Sequence, residues 1–380
     1  MVKRASPIID ETRFMARALA LAARSRGHTR PNPPVGAVVV KEGLILGEGR
    51  HVRCGKDHAE VAALRCVRRR GGETRGATVY VTLEPCSRPG RVGACCEALI
   101  AARVAKVVWA IPDPNPKNAN RATRVLRRAG IETECWGRTR EPARRQCADA
   151  ARRLIAPFAK HVATGLPFVT VKLAMSLDGK ICDERGEAKW ISSAAARRET
   201  GRLREVVDVI LVGAETVRRD NPSLLSHGRR NDDLFRAVAT RSGRLPRASQ
   251  IFTDAARDRT LVFQVGMGNG EWGMGNGDPP SLKLGRARRG TGNGERGSAF
   301  AKATADKTGA CVPNLKAMLR DLGDRGFLHV LCEGGLELAR ALAQEGLVDE
   351  WLTVLAPKVI GHGRLAAAVR IPEVSILADV

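Results

Sequence analysis

The sequence is poor in aromatic residues: one Tyr, five Trp and eight Phe in 380 residues. So few rings leave little material for the stacking platforms that hold single-stranded nucleic acid. No run of about 18 apolar residues occurs, so no membrane span is expected. The opening stretch MVKRASPIIDETRF lacks the apolar core of a secretory signal, and a cytoplasmic location is expected. Ten cysteines are too sparse for a disulfide scaffold and read instead as thiols or metal ligands. Acidic residues are outnumbered, 40 against 64 Lys and Arg, which leaves a net charge of +24. Such an excess invites a nucleic-acid reading through phosphate neutralisation. The arginines, however, are scattered in short groups, RRR at 68–70 and RR at 127–128, 144–145, 152–153, 197–198, 218–219 and 229–230. Solvated basic faces and small anionic substrates fit that scatter better than a nucleic-acid partner.

What is present alternates strand and helix signals. The length favours two domains, and 43% hydrophobic residues suffice for two cores. The apolar runs at 35–40 and 44–49, split by Lys41-Glu42-Gly43, read as a hairpin. A helix with Val61, Ala62, Leu64 and Val67 follows and stops near Gly71-Gly72. TVYVTL (78–83) and KVVWAI (106–111) read as strands, with a helix over 95–104 between them. A basic helix at 120–129 and a last strand at 131–136 complete an α/β domain at 1–147. Residues 141–160 read as a helical connector, and the linker between the domains is expected at 148–166. A second α/β domain then fills 167–380, with FVTVKLAMS, VDVILVG, FRAVAT, SQIFT, TLVFQV, LHVLC and DEWLTVLAP as strands. Strands alternating with helices predict a largely parallel sheet. The segment at about 266–310 interrupts this domain. It contains GMGNG twice, at 266–270 and 273–277, and offers little that could bury a core, so an exposed or disordered insert is expected.

Three pieces in the first domain carry chemistry. His58-Ala59-Glu60 opens a helix, Pro85-Cys86 ends a strand, and Cys95 opens another helix. Singly they mean nothing, and Cys95 and Cys96 could be buried helix thiols. Together and in order they make the H-x-E, P-C, C signature of zinc deaminases. One imidazole and two thiolates give zinc three protein ligands and leave a fourth position for water. Zinc lowers the pKa of that water, so that a hydroxide can attack an amidine carbon. Glu60, two residues from His58 and no ligand itself, can carry the proton from water to the leaving ammonia. Eight residues separate Cys86 from Cys95, unlike the P-C-x-x-C of nucleic-acid deaminases.

With TRPNPPVGAVVV at 29–40, the His-Ala-Glu, and TLEPCSRPGRVGACCEAL at 82–99, the sequence resembles the bifunctional riboflavin-biosynthesis deaminase–reductase family. The resemblance implies a cytidine-deaminase-like first domain with His58, Cys86 and Cys95 on zinc and Cys96 as a packing residue. It places Asn32 and the loop from Ser87 to Arg91, with Arg88 and Arg91, at a phosphorylated pyrimidine substrate. The loop departs from the family pattern. Arg88 stands where a histidine is usual, and Val92-Gly93-Ala94 replaces Thr-Pro-Pro.

On its own residues the second half says less. Glu333-Gly334-Gly335, between a strand and a helix, is a plausible phosphate turn and equally a simple connection. VKLAMSLDGKI, WISSAAARRETGRLR, VILVGAETVRRDNPSL, LCEGGLELARAL and VDEWLTVLAPKVIG resemble, in order, the reductase half of the same family. That implies a dihydrofolate-reductase-like fold and NADPH as cofactor. Ala174, Trp190, Thr216, Asp220, Gly334 and Gly335 would meet the cofactor, and Lys172, Arg204, Leu224 and Glu333 the substrate. Here too there are departures: Ala188 for a serine, Gly201 for a histidine and His227 for an arginine. The expected enzyme deaminates a diaminopyrimidine carrying a phosphoribosylamino group and then reduces the ribosyl to a ribityl chain, as a dimer or tetramer. The alternatives are a deaminase with an inactive or diverged reductase, and a nucleic-acid-directed zinc deaminase. Deleting 266–297 should leave soluble protein with both activities, assayed as ammonia release and NADPH oxidation. An insoluble or inactive deletion would show the insert to be part of the fold.

Overall fold

Strands β1 (Gly36–Lys41) and β2 (Leu44–Arg50) pair antiparallel, as their apolar runs predict. Between them Glu42 and Gly43 have φ of 51° and 77°, as a two-residue type I′ turn requires. This computed structural model describes residues 10–88, 93–183, 191–226, 233–266, 310–312, 314–365 and 374–378. The chain divides into two units, 1–164 and 165–380.

In the first unit β1 also pairs antiparallel with β3 (Thr78–Val81). Beyond it β4 (Lys106–Trp109) and β5 (Glu132–Cys135) continue in parallel, giving the order β2-β1-β3-β4-β5. Side chains alternate across this sheet, and both faces are covered, so its strands read as continuous apolar runs. Val39, Val79, Val81, Val107 and Trp109 pack with helices α2 (Ala59–Arg69), α3 (Cys95–Ala101) and α4 (Ala122–Arg128). Val38, Val40, Tyr80 and Val108 pack on the other face with α1 (Thr12–Ala23) and α5 (Pro142–Thr164). Helix α2 lies on nearly bare backbone. A Cβ on Gly49 would stand 2.3 Å from both Ala59 O and Ala63 N, and one on Gly47 2.7 Å from Ala63 O.

Two helices differ from the sequence expectation. The sequence pattern marks no element over 12–23, yet α1 buries Phe14, Met15, Ala18, Leu21 and Ala22. The segment expected to link the domains, 148–166, is helical to Thr164. Its Ala148, Ala151 and Ile155 belong to the first unit's core. The arginines on its outer face hide that apolar spacing.

The second unit holds an eight-stranded sheet in the order β11-β10-β9-β8-β12-β6-β13-β15, with every neighbouring pair parallel. Its strands are β6 (Phe168–Ser176), β8 (Val209–Gly213), β9 (Phe235–Thr240), β10 (Thr260–Val265), β11 (Ala310–Val312), β12 (His329–Cys332), β13 (Glu350–Ala356) and β15 (Val374–Ala378). Strands β7 (Lys180–Asp183) and β14 (Gly363–Leu365) form a separate antiparallel pair. The helices are α6 (Ala194–Arg204), α7 (Ala214–Asp220), α8 (Gln250–Thr253), α9 (Leu315–Asp324) and α10 (Leu336–Gln344). Ser193 caps α6, its Oγ accepting from Ala196 N at 3.2 Å. SQIFT is not a strand but the short helix α8, closed over the guanidinium of Arg236. The insert expected at about 266–310, apart from its two end residues, lies outside the described residues. Among the described residues no helix is long and apolar enough to cross a membrane.

Arg236 is only 1% exposed. It donates to Asp254 at 2.6 and 2.9 Å, to the carbonyls of Ser223 and Ile251 at 2.9 Å each, and to Thr260 Oγ1 at 3.0 Å. Removing it by Arg236→Leu takes the donor from the Ser223 carbonyl and the cation from the Asp254 carboxylate, while Ile251 O keeps the Thr260 hydroxyl. The second unit should lose about 3–5 kcal/mol, read by denaturant unfolding. A loss under about 1 kcal/mol would show that these groups find other partners.

Candidate active site

Three element ends meet in the first unit. His58 precedes α2 with extended backbone, φ −70° and ψ 162°, and Glu60 lies in the helix's first turn. Cys86 follows β3, and Cys95 is the first residue of α3. His58 Nδ1 is 3.1 Å from Cys95 Sγ and 3.6 Å from Cys86 Sγ. Cys95 N donates to Cys86 Sγ at 3.2 Å, so the start of α3 faces that sulfur. The three donor atoms lie within 4.8 Å of one another, a group that could hold a metal ion. Cys96 points away, buried in the core between sheet and helices, and burial pushes its thiol up to about 12.

The electrostatics single out one thiolate and one proton carrier. Hydrogen bonds from Cys95 and then His58 pull Cys86 down to about 4, while Cys95, its partner, is pushed up. The bond to Cys86 raises His58. Glu60 is fully buried, and desolvation, with the negative charge of Cys86, raises its carboxyl to about 7. It also hydrogen-bonds the Cys95 thiol.

Asn32 reaches this site through a residue that sequence reasoning missed. His51, 2% exposed, faces Asn32 Nδ2 through Nε2 at 3.1 Å and the Asp57 carbonyl through Nδ1 at 3.0 Å. Burial lowers its pKa and favours the neutral ring. A neutral ring that donates from Nδ1 accepts at Nε2, which turns the Asn32 amide nitrogen toward it and leaves the amide oxygen for other partners. His51 lies just past β2 beside the His58 ring, 5.3 Å between centroids. Its separation of 19 residues from Asn32 gave no pattern to read. Arg88 is exposed. Arg91 lies outside the described residues.

In the second unit Arg204, on α6, binds Glu333 with two hydrogen bonds of 2.7 and 2.9 Å and donates to Leu225 O at 3.0 Å. That last bond ties the loop carrying Leu224, whose φ is 55°. Lys172, on β6, feels the charges of both Glu333 and Arg204, and burial lowers its pKa. Four residues expected at the substrate, Lys172, Arg204, Leu224 and Glu333, are thus brought together. Gly334 lies against β8, where a Cβ would stand 3.0 Å from Gly213 N. Gly335 N donates to Thr216 Oγ1 at 3.4 Å, bringing those two together. Ala174 pairs with Val354 inside the sheet, and Asp220 is exposed at the end of α7. Trp190, Ala188 and His227 lie outside the described residues.

Residues 9–111 match the cytidine and deoxycytidylate deaminase zinc-binding region, and residues 167–269 and 296–370 match the RibD C-terminal domain. Riboflavin biosynthesis protein RibD of Escherichia coli K12 is 37% identical over 366 residues, 96% of this chain and 92% of that protein. The protein of the same name from Aquifex aeolicus is 33% identical over 92% of this chain and 88% of its own length. Among solved structures, Acinetobacter baumannii RibD (form 1) superposes with a TM-score of 0.73 at 33% identity, covering 95% of this chain and 92% of that one. A diaminohydroxyphosphoribosylaminopyrimidine deaminase/5-amino-6-(5-phosphoribosylamino)uracil reductase from Thermotoga maritima gives 0.75 at 30% identity, over 93% and 89%. The first unit is cytidine-deaminase-like and carries the zinc-binding region, and the second is the dihydrofolate-reductase-like half. The chain belongs to the RibD family of bifunctional riboflavin-biosynthesis deaminase–reductases.

Proposed function

We propose that the first unit deaminates 2,5-diamino-6-(5-phosphoribosylamino)pyrimidin-4-one and that the second reduces the ribosyl group of the product to a ribityl chain with NADPH. The observation that carries this reading is the meeting of His58, Cys86 and Cys95 beside a buried Glu60. One ring nitrogen and two sulfurs, closely grouped, suit zinc. Zinc held there supplies a water acidic enough to act as nucleophile near neutral pH. Glu60, with a carboxyl near 7, can take the proton of that water and pass it to the leaving amine. The carbon–nitrogen bond breaks, ammonia leaves and a carbonyl remains. Asn32, held by His51, offers its amide to the pyrimidine edge, and Arg88 and Arg91 are assigned to the substrate loop.

In the second unit Ala174, Trp190, Thr216, Asp220, Gly334 and Gly335 are assigned to the cofactor. The N–H groups at the start of α10 suit its phosphates. NADPH, when bound, supplies a hydride for C1 of the ribose. The ring oxygen must gain a proton as its bond to C1 breaks. Lys172, with its lowered pKa, stands beside Glu333 as a group able to deliver that proton. Arg204 and Leu224 complete the substrate side. We also propose a cytoplasmic homo-oligomer, a dimer or a tetramer.

Glu60→Gln tests the first step. Ammonia release should fall by about 100-fold or more while zinc content stays near that of the wild type. Supplied with the deaminated product, the same variant should still oxidise NADPH. Undiminished ammonia release would overturn the role of Glu60.

Stability with pH tests its burial. A carboxyl near 7 when folded, against an ordinary 4.5, binds its proton more tightly in the folded chain. Stability of the metal-free protein should therefore fall as pH rises through that window, by linkage. Glutamine has no proton to lose. In chelator, the unfolding midpoint of Glu60→Gln should gain on that of the wild type between about pH 4 and about pH 8. A gap that does not change with pH would refute the shift.

A further inference from the structure

We infer that Asn118 is a positioning residue for the metal cluster, because its side-chain amide joins Ser87, the neighbour of Cys86, to the half-buried Asp113. The inference rests on the reading of His58, Cys86 and Cys95 as a zinc site.

Cys86 sits between two anchors, and both belong to the single loop that leaves β4. On one side Glu84, 3% exposed, accepts two backbone N–H groups of that loop, Asp113 at 3.2 Å and Asn120 at 3.0 Å, and that of Ala122, the first residue of α4, at 3.1 Å. On the other side Ser87 donates its N–H at 2.9 Å and its hydroxyl at 3.2 Å to Asn118 Oδ1. Asn118 Nδ2 in turn donates to Asp113 Oδ2 at 2.8 Å, and Asp113 Oδ1 accepts from Asn115 N at 2.8 Å. Asn118 is 8% exposed, so its own amide groups have little access to water.

The chemistry at Asn118 is demanding. Ser87 presents a donor and needs an acceptor, while Asp113 presents a carboxylate and needs a donor. A short primary amide meets both at once. Aspartate there would face the Asp113 carboxylate, and alanine would leave both ends open. The Cys86 carbonyl is held separately by Cys96 N at 3.1 Å. The sulfur, 3.6 Å from His58 Nδ1, is therefore aimed by a chain clamped at 84, 86 and 87. Groups that hold metal ligands in place typically affect metal affinity by about 10–100-fold when removed.

The test uses the full chain and zinc alone, with affinity measured by competition against a chromogenic chelator. Asn118→Ala and Asn118→Asp should each weaken zinc binding by about 10–100-fold. The double variant Asp113→Asn/Asn118→Asp exchanges the partners. The carboxylate now at position 118 would accept from Ser87. The amide now at position 113 would donate to that carboxylate while still accepting from Asn115 N. The double variant should recover most of the affinity, which a merely destabilised loop would not. Wild-type zinc affinity in Asn118→Ala would overturn the inference, as would a double variant as weak as Asn118→Asp. A wild-type chain that takes up no zinc would overturn the metal reading itself, and this inference with it.

Discussion

The metal cluster depends on how closely α2 lies on the sheet. His58 and Glu60 ride on the first turn of that helix. Cys86 and Cys95 come from other elements, the segment after β3 and the start of α3. Two ligands can thus stay fixed while the third moves with α2. The contact of Gly47 and Gly49 with the backbone of Ala59 and Ala63 removes that freedom. Any side chain at either glycine would lift the helix and carry the imidazole and the carboxyl away from the sulfurs together. Gly36 does the same on the opposite face, where a Cβ would stand 2.1 Å from Ala18 O. The hairpin is gripped from both sides by helices that touch its backbone.

The two sites use carboxyls in opposite ways. Glu60 meets thiols and an imidazole, and burial outweighs the pull of the imidazole and raises its pKa. Glu333 meets the guanidinium of Arg204 in a paired, two-bond contact, with Lys172 close by. The first arrangement keeps a proton available near neutral pH. The second gives a fixed pattern of charge against which a phosphorylated sugar can be oriented.

Much of this was legible in the sequence, and the reasons are specific. His58, Glu60, Cys86 and Cys95 could be read because each sits at an element end that local pattern already marks. The hairpin was legible from Lys41-Glu42-Gly43. His51, Glu84 and Asn118 were not. Each makes hydrogen bonds to residues between 19 and 38 positions away, which no local period records. SQIFT misled because its three β-prone residues, Ile251, Phe252 and Thr253, carry no information about the guanidinium the segment covers. Helix α5 passed for a linker because its arginines dilute a narrow apolar stripe, although it continues through Pro157 to Thr164. In the second unit the residues alone suggested little more than a phosphate turn, and the resemblance to the family supplied the rest.

Each unit has its own core, one built on both faces of a five-stranded sheet and one around an eight-stranded sheet. Yet the two are translated as one polypeptide, so their copy numbers are locked together. A cell carrying such a chain cannot tune the two steps against each other by making more of one enzyme. Flux must instead be balanced by the turnover of each site, and the slower site sets how much intermediate accumulates between them.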